Sequence, residues 1–335
     1  MPAVIVPLIA GAHYGYPGTG VLMAGGAMCV GFGSFQKPLV WRWGPMLAAA
    51  VGIAISGAVG TVLHERIFAF GAVVVLWAFV YGLSNAMGTA AAWVGLQCCV
   101  YLVISAAAPH SLGGPKDDLL QGLARGGGLL AGALLQMFWI VLMWRWVPRA
   151  ASTFTDPEFD PAVLRLRHLR NEVRAGSIWF RFAIRISVTV AIAVAVFHFV
   201  KFNNAYWIPM TALLLPRPQF METMVRTALR LGGTVEGALL CTLLIVLVHP
   251  AGETLSVWVA VFLFATYCLM YVNYGAFAVF LTGYIVFILA IVKVPQREVI
   301  LHRVEATLIG GAIALAVHAV FYLLPWKVEA SESRN

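Results

Sequence analysis

The sequence predicts an all-α, polytopic transmembrane bundle of about 11 or 12 helices, each needing about 20 apolar residues to cross a bilayer. Of its 335 residues, 61% are hydrophobic and only 11% are charged, whereas about a quarter are charged in an ordinary soluble domain. Four long stretches contain no charged residue, at 1–36, 43–64, 67–115 and 254–292. This composition excludes a water-soluble enzyme.

The net charge of +8 is typical of a membrane protein, because lysine and arginine accumulate on cytoplasmic loops. We therefore expect a lipid bilayer, and no nucleic acid, as a partner. The five cysteines lie inside apolar stretches without CxxC spacing, which favours packing over metal binding or disulfides. No metal and no cofactor are predicted.

A polar segment at 145–185 holds 12 of the 36 charged residues and separates two hydrophobic halves. Its Asp160-Pro161 is typical of a helix start and precedes apolar residues at helical spacing, which predicts a short amphipathic helix. This helix is either a connector with a solvated face or a helix lying on the anionic leaflet. The predicted domains are a first transmembrane repeat (1–147), an arginine-rich cytoplasmic linker (148–179), a second transmembrane repeat (180–326) and a cytoplasmic tail (327–335).

Landmarks recur in the two halves at similar spacing. Pro115 and Pro295 each stand 31 residues before a tryptophan, and His13 lies 185 residues before His198. Two-fold internal repeats are common in secondary transporters. The sequence therefore predicts two parallel six-helix repeats.

Each repeat is predicted to contain six helices. The first half has them at 2–13, 17–34, 45–63, 67–83, 86–108 and 124–146. The second half has them at 180–200, 204–216, 230–248, 254–271, 273–292 and 302–324. Basic loops follow the second helix of each half, and the positive-inside rule places them in the cytoplasm. This orientation requires an even number of membrane crossings in each half. The loop at 293–303 then faces outward.

The second helix of each half is predicted to be interrupted. Pro209, Pro216 and Pro218 interrupt it in the second half, and Pro17 and several glycines do so in the first half. Broken helices expose backbone groups, which a membrane tolerates where they line a cavity. The pattern favours a substrate cavity, although the prolines could simply kink a packed helix.

Basic residues follow the interruption. Arg226 and Arg230 are four residues apart and share a helical face, and the planar fork of arginine suits a carboxylate. With Arg217, Tyr206 and Trp207 they form the predicted substrate-binding set. The alternative is that these arginines only determine topology.

The remaining candidate functional residues are two ionisable residues and a group of small residues on one helical face. Gly233, Thr234 and Gly237 are predicted to pack against another helix. Glu236 and His318 are expected at the same depth, about 9–12 Å from the cytoplasmic ends of their helices. A carboxylate and an imidazole can exchange a proton, so they are the predicted proton-coupling pair. Alternatively, Glu236 reaches the interface and His318 has a structural role.

In the order of these motifs, the sequence resembles the fusaric acid resistance family, the aromatic acid exporters of bacterial inner membranes. The resemblance rests on Tyr206-Trp207, the proline-rich break and the R-x-x-x-R-x-x-G-T-x-x-G pattern that runs from Arg226 to Gly237. The two hydrophobic halves extend it loosely over the chain. The short linker and Glu236, where an apolar residue is expected, depart from the family. The resemblance implies export of organic anions.

The sequence therefore predicts a multi-pass protein of the bacterial inner membrane, a secondary transporter that exports aromatic or related organic acids with proton coupling. The sequence has no ATP-binding GxxxxGK[ST] loop, which argues against transport driven by an ATPase of its own. It is not predicted to be an enzyme, because it has neither an HExxH motif nor a helix with paired aspartates. The alternative is a non-transporting structural or accessory membrane protein that assembles with partner proteins. The expected partners are a small organic anion, the bilayer and, if the chain assembles, further copies or accessory efflux subunits.

Overall fold

A computed structural model describes residues 1–36, 43–107, 117–144, 146, 177–200, 204–250, 252 and 254–323. Within these ranges all regular secondary structure is helical, with twelve α-helices and one short 3-10 helix. The predicted all-α polytopic bundle is confirmed. Of the predicted linker, only residues 177–179 are described, and the predicted tail lies outside the described residues.

Six α-helices precede the linker and six follow it in the described parts of the chain. The first six are α1 (Pro2–His13), α2 (Pro17–Gly33), α3 (Gly44–Val62), α4 (Ile67–Ser84), α5 (Thr89–Ala107) and α6 (Asp118–Met143). The second six are α7 (Ile178–Phe199), α8 (Trp207–Leu214), α9 (Phe220–Val248), α10 (Thr254–Leu269), α11 (Tyr274–Ile291) and α12 (Gln296–Leu323).

Eight of these helices are long and apolar enough to cross a bilayer: α3 to α7, α9, α11 and α12. Helices α1 and α10 are apolar but shorter, and α8 has only 8 residues. The chain is therefore a multi-pass membrane protein. The two-fold repeat and the sidedness of the loops stay predictions.

Helix α2 is continuous over 17 residues, so the interruption predicted for the first half is wrong. Pro17 lies in its first turn, where a backbone N–H has no helical partner to lose. Gly26 of α2 lies against the carbonyl group of Leu129 on α6, and Gly132 of α6 lies against that of Met23 on α2. These glycines bring two helices together instead of breaking one.

Helices α9 and α12 begin earlier than predicted, at Phe220 and Gln296 instead of 230 and 302, and α6 also begins earlier. The predicted starts leave Arg226 and Arg297 outside the helices and put Arg230 and Arg303 at the helix ends. In the structure, Arg226, Arg230 and Arg303 all lie inside helices. A long helix can carry such residues when they face the protein interior.

The two halves share one apolar core. At their interface, Gly82 of α4 lies against the backbone of Ala183 on α7. The ring centre of Tyr267 on α10 lies 4.7 Å from that of Phe32 on α2, and its hydroxyl donates to the carbonyl oxygen of Met28 at 3.0 Å. Helix α8 contacts α5, α7 and α12, so it lies inside the bundle.

Candidate functional site

The predicted interruption in the second half is present in the structure. Helix α8 spans only eight residues, all but the last of them buried, and Pro216 and Pro218 keep it from continuing into α9. The end of a short helix has carbonyl groups without helical partners. Away from water, these groups need donors from elsewhere in the protein.

Arg226 supplies one of these donors from α9. Its Nε donates to the carbonyl oxygen of Leu214, the last residue of α8, at 3.1 Å. Its guanidinium carbon also lies 3.9 Å from the ring centre of Tyr274 at the start of α11. A hydrogen bond from a charged donor contributes about 1.5–3 kcal/mol and a cation–π contact about 0.5–2 kcal/mol. Arg226 therefore ties α8 to α9 and α11.

The turn between α8 and α9 is held by side chains of α7, α12 and α9. Arg185 of α7 donates from Nη2 to the carbonyl oxygens of Arg217, at 3.0 Å, and Pro218, at 2.8 Å. The Nε2 of His318 on α12 lies 3.2 Å from the same Arg217 oxygen. The backbone N–H of Arg217 donates to the hydroxyl of Thr223 on α9 at 2.8 Å. Hydrogen bonds between side chains of neighbouring helices and its backbone therefore hold the broken segment in place, instead of a continuous helix.

Arg230 of α9 and Arg303 of α12 have no such role. Their relative exposures are 1% and 0%, and the Nε and Nη2 of Arg230 and all three guanidinium nitrogens of Arg303 have no hydrogen-bond partner. No described acidic residue forms an ion pair with either of them. The guanidinium carbon of Arg303 lies 5.0 Å from the ring centre of Trp207. The two arginines lie within electrostatic range of each other.

Two buried guanidinium groups without counter-ions are energetically costly. Desolvation costs several kcal/mol per ion, and an aromatic face offsets only a part of this. Ionisable groups inside membrane proteins accordingly mark functional sites. An oxyanion would supply both the acceptors and the negative charge that the two groups lack. Among the described residues, no group of three or more His, Cys, Asp or Glu side chains could hold a metal ion.

Residues of the predicted substrate-binding set meet here. The ring centres of Tyr206 and Trp207 lie 5.4 Å apart, and Arg230 lies within electrostatic range of Arg226. Arg217 takes part through its backbone, as described above, and its side chain interacts with Tyr81 of α4. We call the group Tyr206, Trp207, Arg226, Arg230, Tyr274 and Arg303 the arginine site.

Sequence reasoning missed Arg303 and Tyr274. Arg303 falls at the boundary between the predicted outward loop (293–303) and the predicted helix (302–324), so the predicted site does not include it. A stripe at helical spacing would have revealed it, since Arg303, Thr307, Gly310 and Ala314 are all buried on one face of α12. Nothing in the sequence distinguishes Tyr274 from other aromatic residues near a helix start.

The small-residue face of α9 lies against α11. A Cβ atom added to Gly237 would lie 2.7 Å from the carbonyl oxygen of Val279, and Gly233 is equally close to α11. The hydroxyl of Thr234 donates to the carbonyl oxygen of Arg230 at 2.7 Å. The bond of Thr234 lies within α9, and the contacts of Gly233 and Gly237 set the distance between the helices that carry Arg230 and Tyr274.

Glu236 and His318 lie far apart in the bundle. Glu236 is on the exposed face of α9, His318 is buried, and no ion pair joins them. The ring of Phe220 stacks on that of Tyr322, so the start of α9 is level with the end of α12. Glu236 lies about 24 Å along α9 from this level and His318 only about one turn along α12. The expected common depth is wrong because α9 begins earlier than predicted.

Comparison with known protein families finds one matched region, which contains the whole arginine site. Residues 190–317 match the family described as "Fusaric acid resistance protein-like", which confirms the resemblance noted in the sequence. The match contains every residue of the arginine site, whereas His318 lies just beyond it.

Several curated proteins are similar to part of the chain. "Inner membrane protein YccS" of Escherichia coli (strain K12) is 32% identical over 164 residues, which are 48% of this chain and 22% of that protein. "Uncharacterized protein ORF2" of Neisseria gonorrhoeae is 30% identical over 166 residues, 48% of this chain and 38% of that protein. The chain thus spans well under half the length of the curated relatives it matches. No solved structure matches it.

Proposed function

We propose that this chain is a secondary transporter that exports aromatic or related organic acids across the bacterial inner membrane, using the proton gradient. The observation that carries the proposal is the pair Arg230 and Arg303, which are fully buried and have no hydrogen-bond acceptor at Nε or Nη2. A packed structural arginine is expected to be hydrogen-bonded, as Arg185 and Arg226 are. An organic anion would supply the hydrogen-bond acceptors and the negative charge that these two residues lack.

The broken segment supports transport over simple anion storage. Discontinuous helices near the middle of the membrane form substrate sites in many secondary transporters. Here α8 is short, contacts Arg303 through Trp207 and is held at its end by the hydrogen bond from Arg226. A few exchangeable hydrogen bonds at such a segment allow it to shift between two positions.

The comparisons support two parts of the proposal, a role in transport and a location in the inner membrane. A multi-pass membrane protein similar to fusaric acid resistance proteins agrees with a role in transport or efflux rather than catalysis. The eight candidate spans and the similarity to an inner membrane protein of Escherichia coli agree with an inner-membrane location. The choice of substrate and the coupling ion are our proposals.

For proton coupling we keep His318 and Glu236 as the candidates. His318 is the better placed of the two, because it is buried and contacts the Arg217 carbonyl of the broken segment. Protonation there would change the hydrogen bonding of the turn before α9. Glu236 would have to act through the exposed face of α9.

The proposal is tested with the purified full chain in proteoliposomes loaded with radiolabelled benzoate or terephthalate. Efflux of either anion should exceed that from protein-free liposomes, and an imposed pH gradient should change its rate. Liposomes that contain correctly inserted protein but release neither anion faster than empty ones would favour the alternative, an accessory membrane protein.

A further inference from the structure

The number of buried charges without a counter-ion at the arginine site indicates how many negative charges its ligand has. The guanidinium groups of Arg230 and Arg303 are fully buried, and the Nε and Nη2 atoms of both have no hydrogen-bond partner. Neither forms an ion pair with a described acidic residue. The buried charge in the site is therefore +2, held on two helices, α9 and α12, that pack against each other.

The neighbouring arginines do not add to this count in the same way. Arg185 donates to two carbonyl oxygens, and Arg226 donates to a third and stacks on Tyr274. Both are only partly buried. Each already donates hydrogen bonds to backbone carbonyl oxygens, whereas Arg230 and Arg303 have no acceptor at Nε or Nη2.

A monocarboxylate would leave one of the two buried guanidinium groups unpaired. Removing one partner of a buried ion pair is strongly unfavourable, because a charge is left in a low-dielectric environment. An anion with two carboxylate groups can give one to each arginine, and each guanidinium fork can bind its carboxylate through two hydrogen bonds. The ring of Trp207 beside Arg303 offers an apolar surface for the part of the ligand between the charges.

We infer that the arginine site binds a dianion, a dicarboxylate that bridges Arg230 and Arg303, in preference to a monocarboxylate. This inference rests on the proposed function for the nature of the ligand, an organic anion. It goes further by fixing the charge of the ligand, and it assigns Arg303 to the site.

The test compares matched pairs of ligands on the purified full chain in detergent, by isothermal titration calorimetry at a pH where all carboxylates are ionised. One pair is benzoate and terephthalate, and the other is butyrate and succinate. The wild type should bind each dianion at least about tenfold more tightly than its monoanion, which is the effect of one additional charged hydrogen-bonded contact. The variants Arg230→Gln and Arg303→Gln should each reduce that ratio to about one.

Arg297→Gln is the matched control, because Arg297 is on the same helix as Arg303 but exposed, and it should keep the wild-type ratio. The inference is wrong if the wild type binds neither dianion, if it binds mono- and dianions equally, or if the ratio survives Arg303→Gln. The comparison of mono- and dianion binding by the wild type tests the inference even if a variant fails to fold. Dianion binding without transport would refute only the proposed function, and transport of benzoate with equal binding of both anions would refute only this inference.

Discussion

Arg303 places its guanidinium carbon 5.0 Å from the ring centre of Trp207, so the last helix of the bundle contacts the broken helix α8 through a cation and an aromatic face. Arg303 has no hydrogen-bond acceptor at any of its three guanidinium nitrogens. This contact brings an uncompensated charge to the one segment that the prolines keep from forming a long helix. A bound anion at this position would therefore act on both α12 and α8.

Arg226 and Arg230, two of the three arginines predicted to bind substrate, are expected to behave differently when changed. Arg230→Ala should weaken anion binding by about 10- to 150-fold, with little loss of stability, because the side chain has no hydrogen-bond partner at Nε or Nη2. Arg230→Lys should also weaken binding, since the fork is lost while the charge stays. Arg226→Ala should instead lower the free energy of unfolding by about 1.5–3 kcal/mol, because the bond to Leu214 is lost.

Binding titrations and thermal unfolding in detergent would measure both effects on the same preparations. If Arg226→Ala weakens binding as strongly as Arg230→Ala and leaves stability unchanged, the division of roles between them is wrong. If Arg230→Lys binds like the wild type, Arg230 contributes only its charge.

Adjacent glycines on α9 provide a matched test of its packing. A Cβ atom at Gly233 would run into the carbonyl oxygen of Gly275 and would lie 2.7 Å from the Cβ of Ala278, whereas nothing lies within 4 Å of one at Gly232. Gly233→Ala should destabilise the protein by about 1–3 kcal/mol. Gly232→Ala should leave stability unchanged or raise it by up to about 1 kcal/mol. Equal unfolding temperatures for the two variants would show that α9 and α11 do not pack as described.

The proton-coupling candidates are tested by separating coupling from exchange. Glu236→Gln and His318→Gln each keep a polar side chain without a titratable group. The variant that removes the coupling proton should lose gradient-driven transport and still exchange labelled for unlabelled anion across the membrane. The structure favours His318 for this result, because of its contact with the Arg217 carbonyl. If both variants respond to a pH gradient like the wild type, neither residue carries the proton.

The sidedness of the predicted linker is tested at Ser152, which lies outside the described residues. The seven arginines between 149 and 185 predict a cytoplasmic linker by the positive-inside rule. In a variant without the native cysteines, Ser152→Cys should react with an impermeant thiol reagent only after the membrane is permeabilised. Labelling in intact cells would reverse the predicted orientation.

The sequence predicted most of the fold, because apolar runs of the length of a bilayer leave few alternatives to membrane helices. The broken segment followed from Pro216 and Pro218, which cannot continue a helix. The sequence could not show where α9 and α12 begin, since an arginine is as consistent with a loop as with a buried helix face. Arg303 was missed for this reason. The prediction for the glycines of α2 was wrong because glycine both breaks helices and allows close packing. Only the facing residues, such as Leu129 opposite Gly26, distinguish the two roles.

The most direct test of the central claim is counterflow in proteoliposomes that contain equal amounts of inserted wild type, Arg303→Gln or Arg297→Gln. Liposomes filled with unlabelled terephthalate are diluted into labelled terephthalate, and accumulation of the label reports binding and translocation at the site. Accumulation is expected for the wild type and Arg297→Gln, and the rate for Arg303→Gln should be at least about tenfold slower. Equal accumulation by Arg303→Gln and Arg297→Gln would contradict the claim that Arg303 binds the transported anion.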